Sequence, residues 1–422
     1  MARILVVGGS LGGLFAANML WRDGHDVRVL DKARGSMSGR GAGIVTHDAL
    51  TVALSRAGLP DAEALGVEVP GRVLLAPDGR THTQLPMPQV LTSWSRLYEL
   101  LHRAFPAERY LQGVNVTGVQ QHDHGVTLHA QADGAAQSWD AELLVASDGI
   151  RSTVRQQLLP AVQPRYAGYV AWRGVCDEAL LSRSTMDTLF PYFGFCVPEG
   201  EQVIGYPVAG ADHDTTPGHR AYNFVWYRPA PAGQALQSLM TDADGQHHPL
   251  GIPPHKVSWR HVARMRDDAC ELLAPQWAEV VQKTALPFLQ PIYDLACDTL
   301  AHGRVALMGD AAFVARPHIG MGVTKAAQDA AALCDALRTQ GATPDALSAF
   351  EAEALPRGRA AVARARWLGA ALEGLAAPGS VDRPQQALTE TAIDLGRYGH
   401  QSTFPTAPAA VAAPAAPAAS AA

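Results

Sequence analysis

A short apolar strand that stops at a glycine recurs at three distant places in this 422-residue chain, and no other feature constrains the fold as strongly. The three strands are residues 4–7 before Gly8, residues 142–146 before Asp148 and Gly149, and residues 305–308 before Gly309 and Asp310. In open α/β sheets, ligands bind outside the carboxyl ends of the strands. The sequence therefore predicts an α/β domain, assembled from separated parts of the chain, with one nucleotide-type ligand at its strand ends.

The first turn is an imperfect dinucleotide fingerprint in which Gly8 and Gly13 fit the G-x-G-x-x-G frame and Ser10 replaces the middle glycine. A helical pattern follows, and a second strand at residues 27–30 leads to Asp31, an acid suited to ribose hydroxyls. A βα turn without a ligand is the alternative. The expected cofactor contacts here are Gly8, Ser10, Leu11, Gly12, Gly13, Asp31 and Lys32.

The third turn favours a flavin over other nucleotides. Asp310 can accept hydroxyl protons, and the N-terminus of the next helix favours a phosphate and electron-rich ring atoms. Contacts are expected from Gly309, Asp310, Pro317, Gly320, Met321 and Gly322. The second turn adds Asp148 and Gly149, with Ser152 able to cap a helix. Its two arginines, Arg151 and Arg155, are interpreted as solvated surface charges.

The composition excludes several classes of function. The formal net charge of −6 leaves no basic surplus for nucleic acid. No run of 18 apolar residues predicts a membrane span. No leader precedes the first strand, and five scattered cysteines without a C-x-x-C pair indicate reduced, buried thiols, so we expect a cytoplasmic protein. No spacing typical of a metal site is present.

Aromatic and β-branched runs between turn residues predict an antiparallel sheet inserted into the α/β domain. We expect residues 1–165 to form the first part of the cofactor domain, with about 70–100 joining the substrate domain at 166–294. Residues 295–375 would complete the cofactor domain with C-terminal helices. Residues 376–422 are expected to be an extension that ends in a disordered Ala/Pro-rich tail from about 404.

Taken together, these segments resemble the single-component FAD-dependent aromatic hydroxylases, the para-hydroxybenzoate hydroxylase family. The resemblance rests on the Gly8–Gly13 turn with Asp31, on residues 147–155, and on residues 309–312 with Pro317, Gly320 and Gly322. Within the family, residues 40–45, 166–175 and 316–318 are most similar to members that hydroxylate 2,6-dihydroxypyridine. Three residues depart from the family pattern: Phe313 replaces a common His, Thr324 a common Asn, and Trp94 a common Arg.

The resemblance implies a Rossmann-like FAD-binding domain with an inserted, mainly antiparallel substrate domain. It implies that NADH or NADPH binds transiently and reduces FAD, that O2 adds at the flavin C4a position, and that the hydroperoxide oxygenates a small hydroxylated aromatic or N-heteroaromatic ring. A dihydroxypyridine-like compound is the preferred substrate. A flavin-dependent halogenase or reductase and a non-catalytic flavin redox sensor are the alternatives. Oligomeric state is left open, with a homodimer among the options.

Candidate site residues follow from position in the family pattern. His318 beside Pro317 would lie next to the reactive flavin edge and could deprotonate a hydroxypyridine, although ordering the loop is an equal alternative. His47 is a weaker candidate of the same kind, and Gly43 is a further cofactor contact. On the inserted sheet, substrate contacts are expected from Tyr192, Tyr206, Asn223, Trp226 and Arg173, against the alternatives of ordinary core packing and, for Arg173, a structural ion pair.

Overall fold

The computed structural model describes residues 1–35, 43–59, 65–374 and 382–404. The strands in these ranges are β1 Arg3–Val7, β2 Asp26–Asp31, β3 Gly43–Val45, β4 Val67–Leu75, β5 Thr81–Ser93, β6 Tyr110–Gln112, β7 Asn115–His122, β8 Gly125–Ala132, β9 Ala135–Ala141, β10 Leu143–Ala146, β11 Arg165–Asp177, β12 Tyr192–Cys196, β13 Gln202–Val208, β14 Ala221–Pro229, β15 Phe288–Ala296, β16 Ala301–His302, β17 Val305–Leu307 and β18 Phe313–Val314. The helices are α1 Leu11–Arg22, α2 Asp48–Arg56, α3 Trp94–Ala104, α4 Thr153–Leu158, α5 Arg183–Leu189, α6 Gln234–Leu239, α7 Trp259–Leu272, α8 Pro275–Lys283, α9 Gly322–Gln340, α10 Pro344–Gly369, α11 Arg383–Glu390 and α12 Leu395–Tyr398.

The three strands predicted from their glycine ends are neighbours in one sheet. Its order is β16-β17-β10-β1-β2-β6, with parallel pairing from β17 to β6. Val7 pairs with Ala146, and Ala146 pairs with Leu307, so the three carboxyl ends are level. Buried aliphatic residues fill β1 and β10, because helices pack on one face of this sheet and the three-stranded antiparallel sheet β7-β8-β9 packs on the other. The predicted α/β fold is confirmed.

The second layer is a nine-stranded sheet in the order β18-β15-β11-β14-β13-β12-β4-β5-β3. Its pairings are antiparallel except between β4 and β12. Because side chains alternate across a strand, the sheet separates two apolar cores. One core packs against α7 and α8, and the other packs against α11 and the residues that follow it. Strands β4 and β5 therefore share a sheet with residues from the 166–294 segment.

The chain returns to the site after α10. Residues 382–404 carry α11 and α12 and pack back on the molecule, where the backbone N–H of Ala392 donates to the carbonyl of His318 at 2.8 Å. The tail predicted beyond about residue 404 lies outside the described residues except for its first residue, Phe404, and residues 40–42 of the family-like segment also lie outside them.

Within the described ranges, no helix combines the length and the apolar character needed to cross a lipid bilayer. No three His, Cys, Asp or Glu side chains converge there as a metal site. Four of the five cysteines are buried and Cys270 is exposed, so the expectation of buried thiols is wrong for Cys270.

Candidate active site

The first glycine turn lies directly over the end of β1. Gly8 has a φ of +97°, and a Cβ added at Gly13 would lie 1.8 Å from the carbonyl oxygen of Gly8. Only glycine permits this close passage of α1 over the strand. Ser10 caps α1 with its backbone but makes no side-chain capping bond, so its hydroxyl stays available beside the helix N-terminus. Leu11 is buried under the turn, while Gly12 is half-buried.

Asp31 fixes the shape of this turn from the end of β2. Its carboxylate accepts hydrogen bonds from the backbone N–H groups of Gly9 and Ala33, both at 2.6 Å. Each carboxylate oxygen has a second lone pair, so the group can still accept a hydroxyl from a ligand. The next residue, Lys32, is exposed. Asp31 therefore both orders the glycine turn and presents an acceptor beside it.

The second turn is joined to the third by a buried arginine. Arg155 is fully buried, not solvated as expected, and it donates to the carbonyls of Ala311 at 3.0 Å and Ile150 at 2.6 Å. The expectation was wrong because α4 turns inward, which a local sequence pattern does not reveal. Arg151, by contrast, is exposed as expected.

Asp148 carries an unused acceptor at this junction. One carboxylate oxygen accepts from the backbone of Thr153 at 2.8 Å, and the other is buried without a partner among the described residues. Burial raises the pKa of Asp148. Beside it, Gly149 has a φ of +79° and faces open space.

The third turn rests on a buried ion pair. Gly309 has a φ of +59°, its N–H donates to Asp329 at 3.1 Å, and its carbonyl accepts from the ammonium of Lys325 at 3.1 Å. The same ammonium pairs with Asp329 at 3.1 Å. These contacts aim Asp310 into the cleft, where its side chain is solvent-accessible although dense surrounding protein raises its pKa. Asp310 is thus a carboxylate held open for a ligand.

A cavity of about 280 Å³ lies between the third turn and the inner face of the nine-stranded sheet. Residues from three parts of the chain enclose it. The loop side contributes Asp310, Arg316, Pro317, Gly320, Met321 and Gly322, the sheet side contributes Arg173, Phe193, Tyr206, Val225, Tyr227 and Gln290, and Gly43 and Ala392 close it. The cavity is at the small end of ligand pockets, which typically span about 300–1,000 Å³.

Arg173 is the cation of the sheet side. Its guanidinium donates to the side-chain oxygen of Gln290 at 2.9 Å and lies 5.9 Å from the ring centre of Phe288. Among the described residues it has no acidic partner, so the ion-pair alternative is wrong there, and its Nε–H is buried without an acceptor. The other arginine of the cavity, Arg316, is neutralised by Asp294 at 2.9 Å and Glu373 at 2.8 Å.

Two phenols flank this cation. Tyr206 packs edge-on against Phe193 with ring centres 4.9 Å apart. Burial raises the pKa of both Tyr206 and Tyr227, so both stay protonated at neutral pH. The hydroxyl of Tyr227 is shielded and has no partner among the described residues. A buried hydrogen-bond donor without an acceptor destabilises the protein by about 1–3 kcal/mol, and a polar ligand atom that accepts from it can offset this cost.

Asn223 lies on the same face of β14 as Val225 and Tyr227 but does not itself line the cavity, so the expected substrate contact is not seen. Its side-chain oxygen accepts from the backbone N–H of Gly43 at 3.0 Å, and Tyr206 leaves no room for a Cβ at that glycine. Asn223 therefore positions Gly43, which itself lines the cavity.

Tyr192 and Trp226 point away from the cavity. Both pack into the core on the far side of the sheet, and the indole N–H of Trp226 donates to Glu201 at 2.7 Å. Their neighbours Phe193 and Tyr227 face the cavity instead. The expectation that Tyr192 and Trp226 contact substrate is wrong, because successive side chains of a strand point to opposite faces of the sheet.

His318 lies one layer behind the cavity wall. It is fully buried, its Nε2 is 2.8 Å from the hydroxyl of Tyr169, and its ring centre is 4.3 Å from that of Tyr227. Burial, with the nearby charge of Arg316, lowers the pKa of His318 to about 3. The ring is neutral at working pH and is placed to order the tyrosines, whereas Pro317 lines the cavity.

His47 faces a different space. It is buried, and its Nδ1 is 2.9 Å from the hydroxyl of Thr324 on α9. Burial lowers its pKa to about 4. It lines a separate cleft of about 900 Å³ between α2, β4, β5 and α12, outside the ring-sized cavity. This placement gives His47 no contact with a ring held beside Arg173.

Several site residues were not predicted from the sequence. Tyr227 could have been found, because it has the parity of Asn223 along β14 and Trp226 has the opposite parity. Gln290, Arg155 and Ala392 carry no local signal, since each reaches the site only through tertiary packing. Phe313, which replaces a common His of the family pattern, packs against Gly358 in the core.

Comparison with known proteins agrees with this geometry. The FAD binding domain family matches residues 1–170 and 253–365, and a family described as FAD binding domain-like matches residues 166–294. The chain is 30% identical over 374 residues to 2,6-dihydroxypyridine 3-monooxygenase of Paenarthrobacter nicotinovorans, covering 88% of this chain and 91% of that relative.

Two solved structures show the same fold. The structure of 2,6-dihydroxypyridine-3-hydroxylase from Arthrobacter nicotinovorans superposes with a TM-score of 0.82 at 29% identity, covering 90% of this chain and 95% of that one. A Klebsiella pneumoniae HpxO variant complexed with FAD superposes with a TM-score of 0.75 at 26% identity, covering 93% and 95%.

Proposed function

Because this chain belongs to the FAD-dependent aromatic hydroxylases, we propose that it hydroxylates a small N-heteroaromatic ring of the dihydroxypyridine type, bound as an anion at Arg173. NADH or NADPH is the expected reductant. The observation that carries the substrate proposal is the cavity cation whose single polar partner among the described residues is the neutral amide of Gln290.

The hydrogen-bond donors and acceptors at the three turns fit FAD. The N-terminus of α1, with the free hydroxyl of Ser10, suits a pyrophosphate, and Asp31 suits the adenosine ribose. Asp310 offers an open acceptor for ribityl hydroxyls, and Gly322 at the start of α9 faces open space, where a helix dipole favours negative charge. When bound there, FAD would supply the redox chemistry, namely reduction by NAD(P)H and activation of O2 so that one oxygen atom is transferred to a ring.

The chain's own residues hold the ring. Arg173 is expected to bind an ionised ring oxygen and to favour that ionised form, which makes the ring more electron-rich. Phe193 and Val225 supply apolar contact on the sheet side of the cavity. Since Tyr206 and Tyr227 remain protonated, they can donate hydrogen bonds without accepting a proton from the substrate.

This arrangement assigns His318 a positioning role. Its neutral imidazole lies behind Tyr227 and beside Tyr169, with no contact to the cavity itself. Proton removal from the ring is then left to the electrostatic effect of Arg173, because a substrate already ionised needs no general base.

The experiment that tests the proposal is a ring panel on the purified FAD-loaded protein. Dihydroxypyridines, hydroxynicotinates, hydroxybenzoates and uncharged phenols are compared for stimulated NAD(P)H oxidation, with products identified by mass under isotopically heavy dioxygen. We expect a product that is heavier by one labelled oxygen, formed fastest from rings that ionise at the assay pH. Hydrogen peroxide as the sole product from every ring would overturn the proposal.

A further inference from the structure

A segment near the C-terminus closes one side of the cavity. Residues 388–394, here named the strap, run from the end of α11 past the loop at residues 317–320. The N–H of Ala392 donates to the carbonyl of His318 at 2.8 Å, and a Cβ at Gly320 would lie only 2.7 Å from the Cβ of Ala392. Ala392 lines the cavity, so the strap touches both the loop and the ligand space.

Ala392 has a backbone conformation that needs outside support. Its φ is +50°, in the left-handed region that residues with a Cβ rarely adopt. Such conformations persist when surrounding contacts fix them. Here the carbonyl of Ala392 accepts from the guanidinium of Arg72 at 3.1 Å and from the amide of Gln89 at 3.0 Å.

Arg72 supplies most of that support from β4. It is fully buried, and each of its hydrogen bonds goes to an uncharged oxygen: Gln89 Oε1 at 3.0 Å and 2.8 Å, and the carbonyls of Leu388 at 2.8 Å, Thr391 at 2.8 Å and Ala392 at 3.1 Å. Its charge also faces the carbonyl end of α11, where a cation is favoured. A planar fork with five donors fits this set, and an ammonium group does not.

The same guanidinium contacts the aromatic wall of the cavity. It lies 5.2 Å from the ring centre of Phe193 and 5.6 Å from that of Phe195. Phe193 lines the cavity beside Tyr206. Arg72 therefore bonds at once to the strap that supports the loop and to the wall that would hold the ring.

We infer that Arg72 is a positioning residue, which fixes the strap against the loop at residues 317–320 and so sets the spacing between the flavin site and the aromatic wall. The role toward the flavin rests on the proposed function. If the spacing widens, we expect weaker FAD binding, and more NAD(P)H consumed without oxygenation because water reaches the reaction.

The test compares four single variants of the full-length protein. Arg72→Lys keeps the charge and loses the fork, Arg72→Met loses both, and Ala392→Gly removes the Cβ and relieves the left-handed strain without touching Arg72. The matched control is Arg220→Met. Arg220 is likewise largely buried, pairs with Glu178 at 2.7 Å and lies 4.9 Å from the ring centre of Phe190, and it does not line the cavity.

Three quantities are measured: the FAD dissociation constant, the visible circular dichroism of bound flavin, and product formed per NAD(P)H consumed. Arg72→Lys is expected to raise the FAD dissociation constant about tenfold, change the flavin dichroism and lower the product ratio. Ala392→Gly keeps every backbone hydrogen bond of residue 392, so all three quantities should stay at their wild-type values. Arg220→Met should lower only the melting temperature. FAD affinity and dichroism need no ring, so they stand even if the substrate proposal fails.

Wild-type FAD affinity, dichroism and product ratio in folded Arg72→Lys, with only a lower melting temperature, would make Arg72 a structural anchor and overturn the inference. Should Arg72→Met fail to fold, Arg72→Lys decides the question.

Discussion

Replacing Arg173 by glutamine removes the cavity's cation while keeping a polar side chain. Arg173 has five N–H donors and uses one on Gln290, so the rest remain for an anionic ring. A hydrogen bond to a charged group contributes about 1.5–3 kcal/mol, which corresponds to roughly a 10- to 150-fold change in an equilibrium constant. Because Arg173 is only partly buried, we expect the lower part of that range, about a 10- to 30-fold rise in KM for an ionised ring.

The assay separates charge recognition from general damage. KM and kcat are measured for a ring that ionises below the assay pH and for an uncharged ring of the same size. The matched control is Arg183→Gln, which neutralises an arginine on α5 whose side chain is 88% exposed and is 3.5 Å from Asp187. Wild type should lose affinity as the pH falls through the substrate's own pKa, and Arg173→Gln should lose that dependence.

Two results would refute the reasoning. One is an unchanged KM for ionised rings in Arg173→Gln, which would show that the guanidinium does not meet the substrate. The other is an equal loss for ionised and uncharged rings, which would show that the substitution acts through cavity shape and not through charge.

Three further predictions concern the same site. Tyr227→Phe is expected to lower kcat/KM several-fold, whereas Tyr192→Phe, on the opposite face of the sheet, leaves it unchanged. Steady-state kinetics measure both variants, and equal effects would contradict the assignment of Tyr227 to the cavity face and Tyr192 to the opposite face. Gly13→Ala forces α1 off the turn, because its Cβ would lie 1.8 Å from a carbonyl oxygen, so FAD affinity measured by titration should fall at least tenfold. The control is Gly399→Ala, whose added Cβ meets nothing within 4 Å. Equal FAD affinities in the two variants would refute the assignment of the Gly8–Gly13 turn to the cofactor. The folded protein keeps His318 neutral down to about pH 3, while the unfolded chain protonates it below about 6.5, so the free energy of unfolding falls as pH drops through that interval. In denaturant titrations, His318→Gln should reduce the dependence of the unfolding free energy on pH. In the wild type, kcat should show no ionisation of His318 between pH 5 and 8. An ionisation in that range that disappears in His318→Gln would show that His318 is catalytic.

Prediction from sequence worked where the signal is local. Strand β1 with Gly8, Gly13 and Asp31 is a contiguous βα unit, and its glycines are required by backbone geometry within a few residues. Prediction failed where the sequence had to show which face of a strand or helix points into the site. Trp226 and Asn223 were assigned one wall although their odd separation along β14 puts them on opposite faces, and an arginine assigned to the surface, Arg155, is a buried link between two turns.

The sequence by itself determined the cofactor class, because FAD needs strand ends, glycines and acids whose spacing along the chain is fixed by local geometry. Tertiary structure decided the substrate side. Whether Arg173 meets an acid or an amide depends on β15 packing beside β11, and whether residue 392 reaches the cavity depends on Arg72, more than 300 positions away. Such contacts are set by side-chain packing between distant segments, which neither composition nor periodicity encodes.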